Sequence, residues 1–515
     1  MAAIGLLFIA FFLNLGIHPL SLEEPRRALI ALEMYYNHNL WVPTEFGEYY
    51  YKKPPFYNWL ILGSYQLFGV SEFSTRFFST ISHFLVGWLG YRMGNRYVDR
   101  TFGVFTAILY MVSVDILFYF SLVGGEIDLF YSLVTFAGFL ALFHFYKEEK
   151  YVALFVSTYF LGAIGTLTKG LPSVAFLGIS LLVFFIYQKD FRRLFSFPHL
   201  LGMLTYLFIV GGYLWSYSRF NSVEGFFGLG ASDSIVNQSL DRTFLRQGLW
   251  ESLLSFVSFP FLLLKILIPA SLFTPFLLRH SLIRKLRENE FVWFGLIMLG
   301  SNILVYWLSP GTRSRYLYMF IPFAVNCLFF VYYRQAEKPH FFTHILEVLM
   351  KVVMAGIPII CLSMPFIPGL EGVNGLWFIS IGAFIGFGLL SFSFIRLPSH
   401  RLILFLIAFM GLRIVFDLTI LPVRAQVGNV VREKELAYEI VEQVGQEPLN
   451  LYGTARPSRT TIFYLEKELR QVIGYGDSQS KDYILAKLSE IDEKEFSVFL
   501  TFEFKDVAYG LVRRK

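Results

Sequence analysis

The chain of 515 residues is 55% hydrophobic and 16% charged, with a mean hydropathy of +0.55. Soluble proteins carry about 25% charged residues, so a chain this poor in charge cannot wet a surface of its own size. Its net charge of +6 is spread along the sequence, which reads as membrane topology and argues against nucleic acid as a partner. The two cysteines, Cys327 and Cys361, lie in apolar runs, so neither a disulfide framework nor a Cys/His zinc site is implied.

Met1 to Ile17 is apolar but has no basic leader and no small-residue cleavage site, so it reads as a retained first membrane helix. A spanning helix needs roughly 20 mostly apolar residues, and about thirteen such stretches follow one another. They cover 1–19, 74–91, 101–120, 128–146, 151–168, 172–187, 199–217, 252–278, 291–308, 316–333, 344–366, 375–395 and 401–421. An odd number puts the termini on opposite sides. Basic residues such as Arg92, Arg96, Arg284, Lys285 and Arg287 fall in alternate loops and place the N-terminus in the cytoplasm. Three segments on the other side are too long for turns: 20–73, 218–251 and 423–515. The last is richer in Glu, Lys, Arg and Gln. Within it, Val431–Val444 and Ser480–Ile491 read as helices, and Leu449–Tyr452, Gln471–Tyr475 and Phe496–Phe504 as strands. The expected fold is therefore an all-α polytopic membrane domain, 1–422, followed by a small extracytoplasmic α/β domain, 423–515.

Segment 20–73 opens Ser21-Leu22-Glu23-Glu24-Pro25-Arg26-Arg27-Ala28. Ser21 and Glu24 have capping-box spacing and Pro25 suits a first helical turn, which accounts for Glu24 as helix punctuation. It leaves Glu23 and two arginines unexplained. Further on, Trp41-Val42-Pro43 precedes Tyr51-Lys52-Lys53-Pro54-Pro55, where two prolines stiffen the chain around a lysine pair. Interfacial snorkelling explains such lysines, and so does phosphate capture. Glu126 and Asp128 stand where an apolar run begins, where acids complement a helix dipole. Asp115, Lys265, Arg413 and Asp417 lie inside apolar runs, a costly place for charge. Arg413 and Asp417, four apart, are expected to pair on one helix face. His18 reads as an interfacial residue rather than a metal ligand.

Taken in order, Glu23-Glu24-Pro25-Arg26-Arg27-Ala28, Trp41-Val42-Pro43 and Lys52-Lys53-Pro54-Pro55 resemble the opening of the GT-C glycosyltransferases. The similarity is greatest to the branch that holds the protein O-mannosyltransferases and the lipid A aminoarabinose transferase. Thr168-Lys169-Gly170-Leu171-Pro172 and Arg315-Tyr316-Leu317 followed by Pro322 resemble two later motifs of that branch. Two positions depart from it: Glu23 replaces the family's catalytic Asp, and Lys52 replaces the Glu before Lys-Pro-Pro.

The resemblance implies an enzyme that moves a sugar from a polyprenyl-phosphate carrier to a glycolipid, a glycan or a protein hydroxyl. Such a transfer needs a base, cations for the departing phosphate and an in-line geometry that inverts the anomeric carbon. On this reading Glu23 is the base and Asp128 supports it. Lys53, with Arg242, Arg313 or Arg315, holds the phosphate, and Glu24, Arg26, Lys52, Lys169 and Tyr316 are further substrate contacts. Glu23, Glu126 and Asp128 are the candidate ligands should a divalent metal take part. No Gly-rich nucleotide loop occurs, which favours a lipid-linked donor. A flippase or transporter is the competing class, but its usual internal repeats are missing. A polysaccharide polymerase or ligase would share the donor. The expected location is a bacterial inner membrane.

Overall fold

The computed structural model describes residues 2–118, 124–220, 249–278, 282–334, 341–476, 482–492 and 494–515. Helical structure lies within every stretch expected to span. Examples are Glu72–Tyr97, Ile127–Lys147, Tyr151–Lys169, Leu171–Tyr187 and Phe197–Phe220. Among the described residues, eight helical runs are long and apolar enough to cross a membrane, from Ile127–Lys147 to Pro398–Arg424. With them the chain is an integral membrane protein.

Several expected spans are interrupted. The stretch 101–120 breaks at Val112-Ser113 into Arg100–Met111 and Val114–Phe118. The stretch 252–278 is α-helical only to Ile266 and continues as a 3-10 segment over Ala270–Leu278. Pro269 and Pro275 cannot donate a backbone hydrogen bond, which accounts for the loss of the α pattern there. The buried Arg413–Asp417 pair forms as expected, with Nη2 3.0 Å from Oδ1. Arg413 Nε also donates to the Ala10 carbonyl, which ties the first helix to Arg401–Arg424. Asp115 accepts from the Tyr318 hydroxyl at 2.7 Å. Lys265 is exposed at the end of its helix.

Segment 20–73 folds as the helix Glu24–Tyr36, a hairpin of β1 (Thr44–Glu45) and β2 (Glu48–Tyr49), and the helix Phe56–Phe68. The hairpin turn runs through Phe46 and Gly47, both at positive φ, the geometry of a two-residue turn that matches strand twist. Glu33 fastens it by accepting from the Phe46 amide at 2.7 Å and the Gly47 amide at 3.2 Å.

The tail begins with the helix Asn429–Val444. A four-stranded sheet follows in the order β3-β4-β6-β5, made of Leu449–Leu451, Tyr483–Lys487, Val507–Arg514 and Phe496–Phe504. β3 and β4 are parallel and the other pairings antiparallel. The helix expected over Ser480–Ile491 is instead β4 and a short 3-10 turn. β4 lies between β3 and β6, and its first four residues are all buried, so it lacks the alternation that marks a half-exposed strand. The helix Arg459–Leu469 and strand β6 had no counterpart in the sequence reading.

Among the described residues, two hydrophobic clusters are much the largest. The larger unites the membrane helices. The second joins Leu29, Leu32 and Tyr57 of segment 20–73 to Ile462, Phe463 and Leu465 of the tail. The two regions at opposite ends of the sequence thus share one apolar interior.

Candidate functional site

The helix Glu24–Tyr36 starts with adjacent carboxylates that have different fates. Glu24 is fully buried. It accepts from Arg76 Nε at 2.7 Å and Nη2 at 3.0 Å, from the Ser21 amide at 2.9 Å, and from the Gly125 amide. Arg76 also donates to the carbonyls of Leu15, His18 and Pro19, so one ion pair gathers the end of the first helix, segment 20–73 and the 124–126 turn. A Cβ on Gly125 would come within 2.7 Å of the Thr75 carbonyl, so that close approach requires glycine. Glu23 is partly open and pairs with Arg26, whose Nη1 lies 2.5 Å from Oε2.

The 124–126 turn delivers Glu126 and Asp128 to the start of Ile127–Lys147. Lys169, in the last turn of Tyr151–Lys169, donates to Asp128 Oδ1 at 2.6 Å. Arg315 pairs with Glu126 and stands 3.4 Å from Asp128 Oδ2. The Lys169 ammonium lies over the rings of Tyr316 at 4.2 Å and Tyr131 at 4.8 Å. All four charged groups are buried. Burial, and then the Asp128 carboxylate beside it, push the Glu126 carboxyl well above its ordinary value; Arg315 opposes them, while Glu24 and Glu23 add to the push. The two acidic motifs therefore share one electrostatic neighbourhood.

Beside this cluster lies a cleft of about 600 Å³. Tyr50, Tyr51, Lys52, Lys53 and Pro54 line it on one side and Lys169 to Pro172 at the turn between two helices. Gly170 makes that turn at φ +82°. Tyr206, Tyr213, Tyr217 and the aliphatic Val174, Val210 and Leu214 complete the wall. Arg27 donates to the Tyr50 hydroxyl at 2.8 Å and so steadies the strand that leads into the lysines. Lys52 is exposed and Lys53 half-buried. Cationic heads beside an aromatic and aliphatic trough suit a ligand with an anionic group on an apolar chain.

The expected site residues thus separate. Lys52, Lys53 and Lys169 line the cleft, and Asp128, Arg315 and Tyr316 adjoin it through Lys169. Arg313 is exposed at the start of the Ser314–Phe320 segment. Arg242 lies outside the described residues. Glu24 does not reach the cleft as a substrate contact: its oxygens are taken up by Arg76 and two amides, so it acts as a brace. Among the described residues no group of three or more His, Cys, Asp or Glu side chains can hold a metal ion. Glu23, Glu126 and Asp128 therefore do not form the ligand set raised from the sequence. Each has a cationic partner, Arg26, Arg315 or Lys169. His18 Nδ1 donates to the carbonyl of its neighbour Pro19. Arg76 was missed, although a charge inside the apolar run 74–91 was a legible sign. Tyr131 and the tyrosine wall were missed because they differ in no way from ordinary apolar helix residues until the helices are packed.

The fold is that of a polytopic membrane protein of GT-C architecture, the fold the motifs implied. Residues 52–215 match the family described as dolichyl-phosphate-mannose-protein mannosyltransferase. The chain is similar to the undecaprenyl phosphate-alpha-4-amino-4-deoxy-L-arabinose arabinosyl transferase 1 of Proteus mirabilis (strain HI4320), 29% identical over 36% of each chain. It is also similar to the corresponding transferase of Pseudomonas savastanoi pv. phaseolicola (strain 1448A / Race 6), 30% identical over 37% of this chain and 36% of that one. These matches span about a third of the relatives' length. Over almost the whole chain the fold is that of ArnT from Cupriavidus metallidurans bound to undecaprenyl phosphate. That match has a TM-score of 0.71 at 18% identity and covers 99% of this chain and 97% of that one. The apo form gives the same TM-score.

Proposed function

We propose that this protein is an inverting glycosyltransferase that takes a sugar from a polyprenyl-phosphate carrier and delivers it to a glycolipid. The cleft carries the reading: three lysines, Lys52, Lys53 and Lys169, converge on a trough walled by tyrosines and aliphatic side chains. The names of the similar transferases, which specify an undecaprenyl-phosphate donor, support it. So does the shared fold with a protein crystallised with that lipid phosphate.

In the proposed reaction Lys53 and Lys169 bind the donor phosphate, and the polyprenyl chain follows the aromatic wall. The acceptor oxygen attacks the anomeric carbon from the face opposite the phosphate. The new C–O bond forms as the bond to the phosphate oxygen breaks. Glu23 takes the acceptor proton, and the carrier leaves as polyprenyl phosphate with its charge held by the lysines. Asp128 positions Lys169, and Arg315 neutralises Glu126. Segment 20–73 and the domain 423–515 face the extracytoplasmic side of a bacterial inner membrane, and the N-terminus of the 1–422 domain lies in the cytoplasm. Basic residues such as Arg92, Arg96, Lys147 and Lys150 at the opposite end support that orientation.

The test is transfer in nanodiscs from labelled polyprenyl-phosphate sugars to glycolipid, glycan and peptide acceptors, supplied separately. The expected result is label on the glycolipid, and none with Glu23→Gln, which keeps the wild-type unfolding temperature. Label on glycan or peptide alone would replace the acceptor. Lipid binding or movement across the bilayer without bond cleavage would replace the whole reading with a flippase. Full transfer by Glu23→Gln would remove the base assignment.

A further inference from the structure

Glu23 is connected to the far end of the chain. Arg459, the first residue of the tail helix Arg459–Leu469, donates from Nε to Glu45 Oε1. The same Glu45 oxygen accepts from Arg26 Nε at 3.2 Å, and Arg26 Nη1 reaches Glu23 Oε2 at 2.5 Å. The four side chains alternate in charge. The middle pair is the driest, with Glu45 12% and Arg26 19% exposed against 35% for Arg459 and 37% for Glu23. Two members of the relay stand on rigid supports. Glu45 sits in β1 of the hairpin that Glu33 fastens. Arg459 leads a helix that buries Ile462, Phe463 and Leu465 in the shared core.

We propose that Glu45 and Arg459 are positioning residues for Glu23, so that the docked tail sets the direction of the proton-accepting carboxylate. This rests on the base assignment made above and deepens it. Arg26 is one helical turn from Glu23 and has several rotamers open to it. Glu45 holds its Nε edge and leaves the Nη1 edge turned toward Glu23. Arg459 in turn neutralises Glu45, which otherwise faces Arg26 alone. Burial pushes the Glu45 carboxyl up, but the Arg459 and Arg26 guanidiniums together hold it below the usual carboxylate range, so it remains an acceptor for both. A shift of about 1 Å in a reacting group costs up to roughly 100-fold in rate, so small changes in Arg26 register in turnover.

The same interface contains an internal control. Arg456 pairs with Glu48 at 2.9 Å, again tail to hairpin, but both side chains are exposed and neither is in the relay to Glu23. A contact that merely glued the tail down would make the two arginines equivalent. In the full-length protein in nanodiscs, with a labelled polyprenyl-phosphate sugar, Arg459→Gln is expected to lower kcat about tenfold and to change the donor KM less than about twofold. Arg459→Lys is expected to restore most of the rate, and Arg456→Gln to leave both constants unchanged. A kcat for Arg459→Gln no lower than that of Arg456→Gln, or an effect on KM alone, overturns the inference. Should Arg459→Gln fail to fold, Glu45→Gln is read by the same split: lost kcat supports the relay and wild-type kcat overturns it. An inactive Glu23→Gln beside a fully active Arg459→Gln defeats this inference only. A fully active Glu23→Gln defeats the base assignment and the relay together.

Discussion

Charges that stay open and charges sealed in the interior follow opposite rules in this molecule. Glu23, Lys52 and Lys53 keep access to solvent, whereas Glu24, Arg76, Glu126, Asp128, Lys169 and Arg315 are buried and held by opposite charges or backbone groups. A buried charge is tolerated only with partners, and its partners fix its place. The sealed set therefore fixes the walls of the site, with Lys169 among it also lining the cleft, and the open set keeps its side chains accessible. Glu23 and Glu24 carry the same functional group one residue apart, and only their surroundings divide the roles.

The comparison predicts which substitutions strike folding and which strike turnover. Replacing Arg76 by Ala strands Glu24 in the interior, and losing one partner of a buried pair costs about 3–5 kcal/mol. Thermal unfolding in detergent is expected to drop accordingly, and a variant that unfolds within a degree of the wild type would contradict a brace. At the cleft, Lys53→Ala is expected to leave unfolding unchanged and to lower kcat/KM for the donor roughly 10- to 100-fold, as for loss of a hydrogen bond to a charged group. Equal effects of that variant on stability and turnover would erase the distinction.

A smaller effect concerns the seam between tail and hairpin. Burial, and then the Glu33 carboxylate, push Glu466 well above its ordinary value against the hydrogen bond from the Ile473 amide. Burial likewise pushes Glu33 up to about 7. A carboxyl raised in the folded state contributes its full stability below its unfolded value of 4.5 and loses it as pH rises through the folded value. Glu466→Gln retains the acceptor for Ile473 without the charge. It is expected to raise the unfolding temperature by roughly 2–4 °C at pH 8, with the gain fading toward pH 4.5. A pH-independent difference would show that the two carboxyls do not burden the seam.

The membrane helices were legible because apolar runs of the right length have one stable form in lipid. Segment 20–73 was legible for another reason: its punctuation, Glu24-Pro25 and Lys53-Pro54-Pro55, is local. Asp128 could be singled out from its place at a helix start. Its partners, Lys169 and Arg315, could not be assigned to it, since they are 41 and 187 positions away and only packing selects them. Strand β4 was misread because a central strand buried on both faces, Tyr483–Lys487, carries no period-2 signal to set it apart from a helix. The relay from Arg459 to Glu23 was illegible for the same reason as the shared core: each of its links is ordinary alone, and its meaning lies in a contact between sequence ends.

That shared core also sets a schedule. Residues 20–73 leave the ribosome before the tail, and the early piece cannot bury Leu29, Leu32 and Tyr57 until Ile462, Phe463 and Leu465 arrive. Segment 20–73 therefore waits with that apolar face uncovered while the membrane helices are made. The tail serves as the closing piece, and a chain that stops before Arg459 is expected to leave that apolar face exposed.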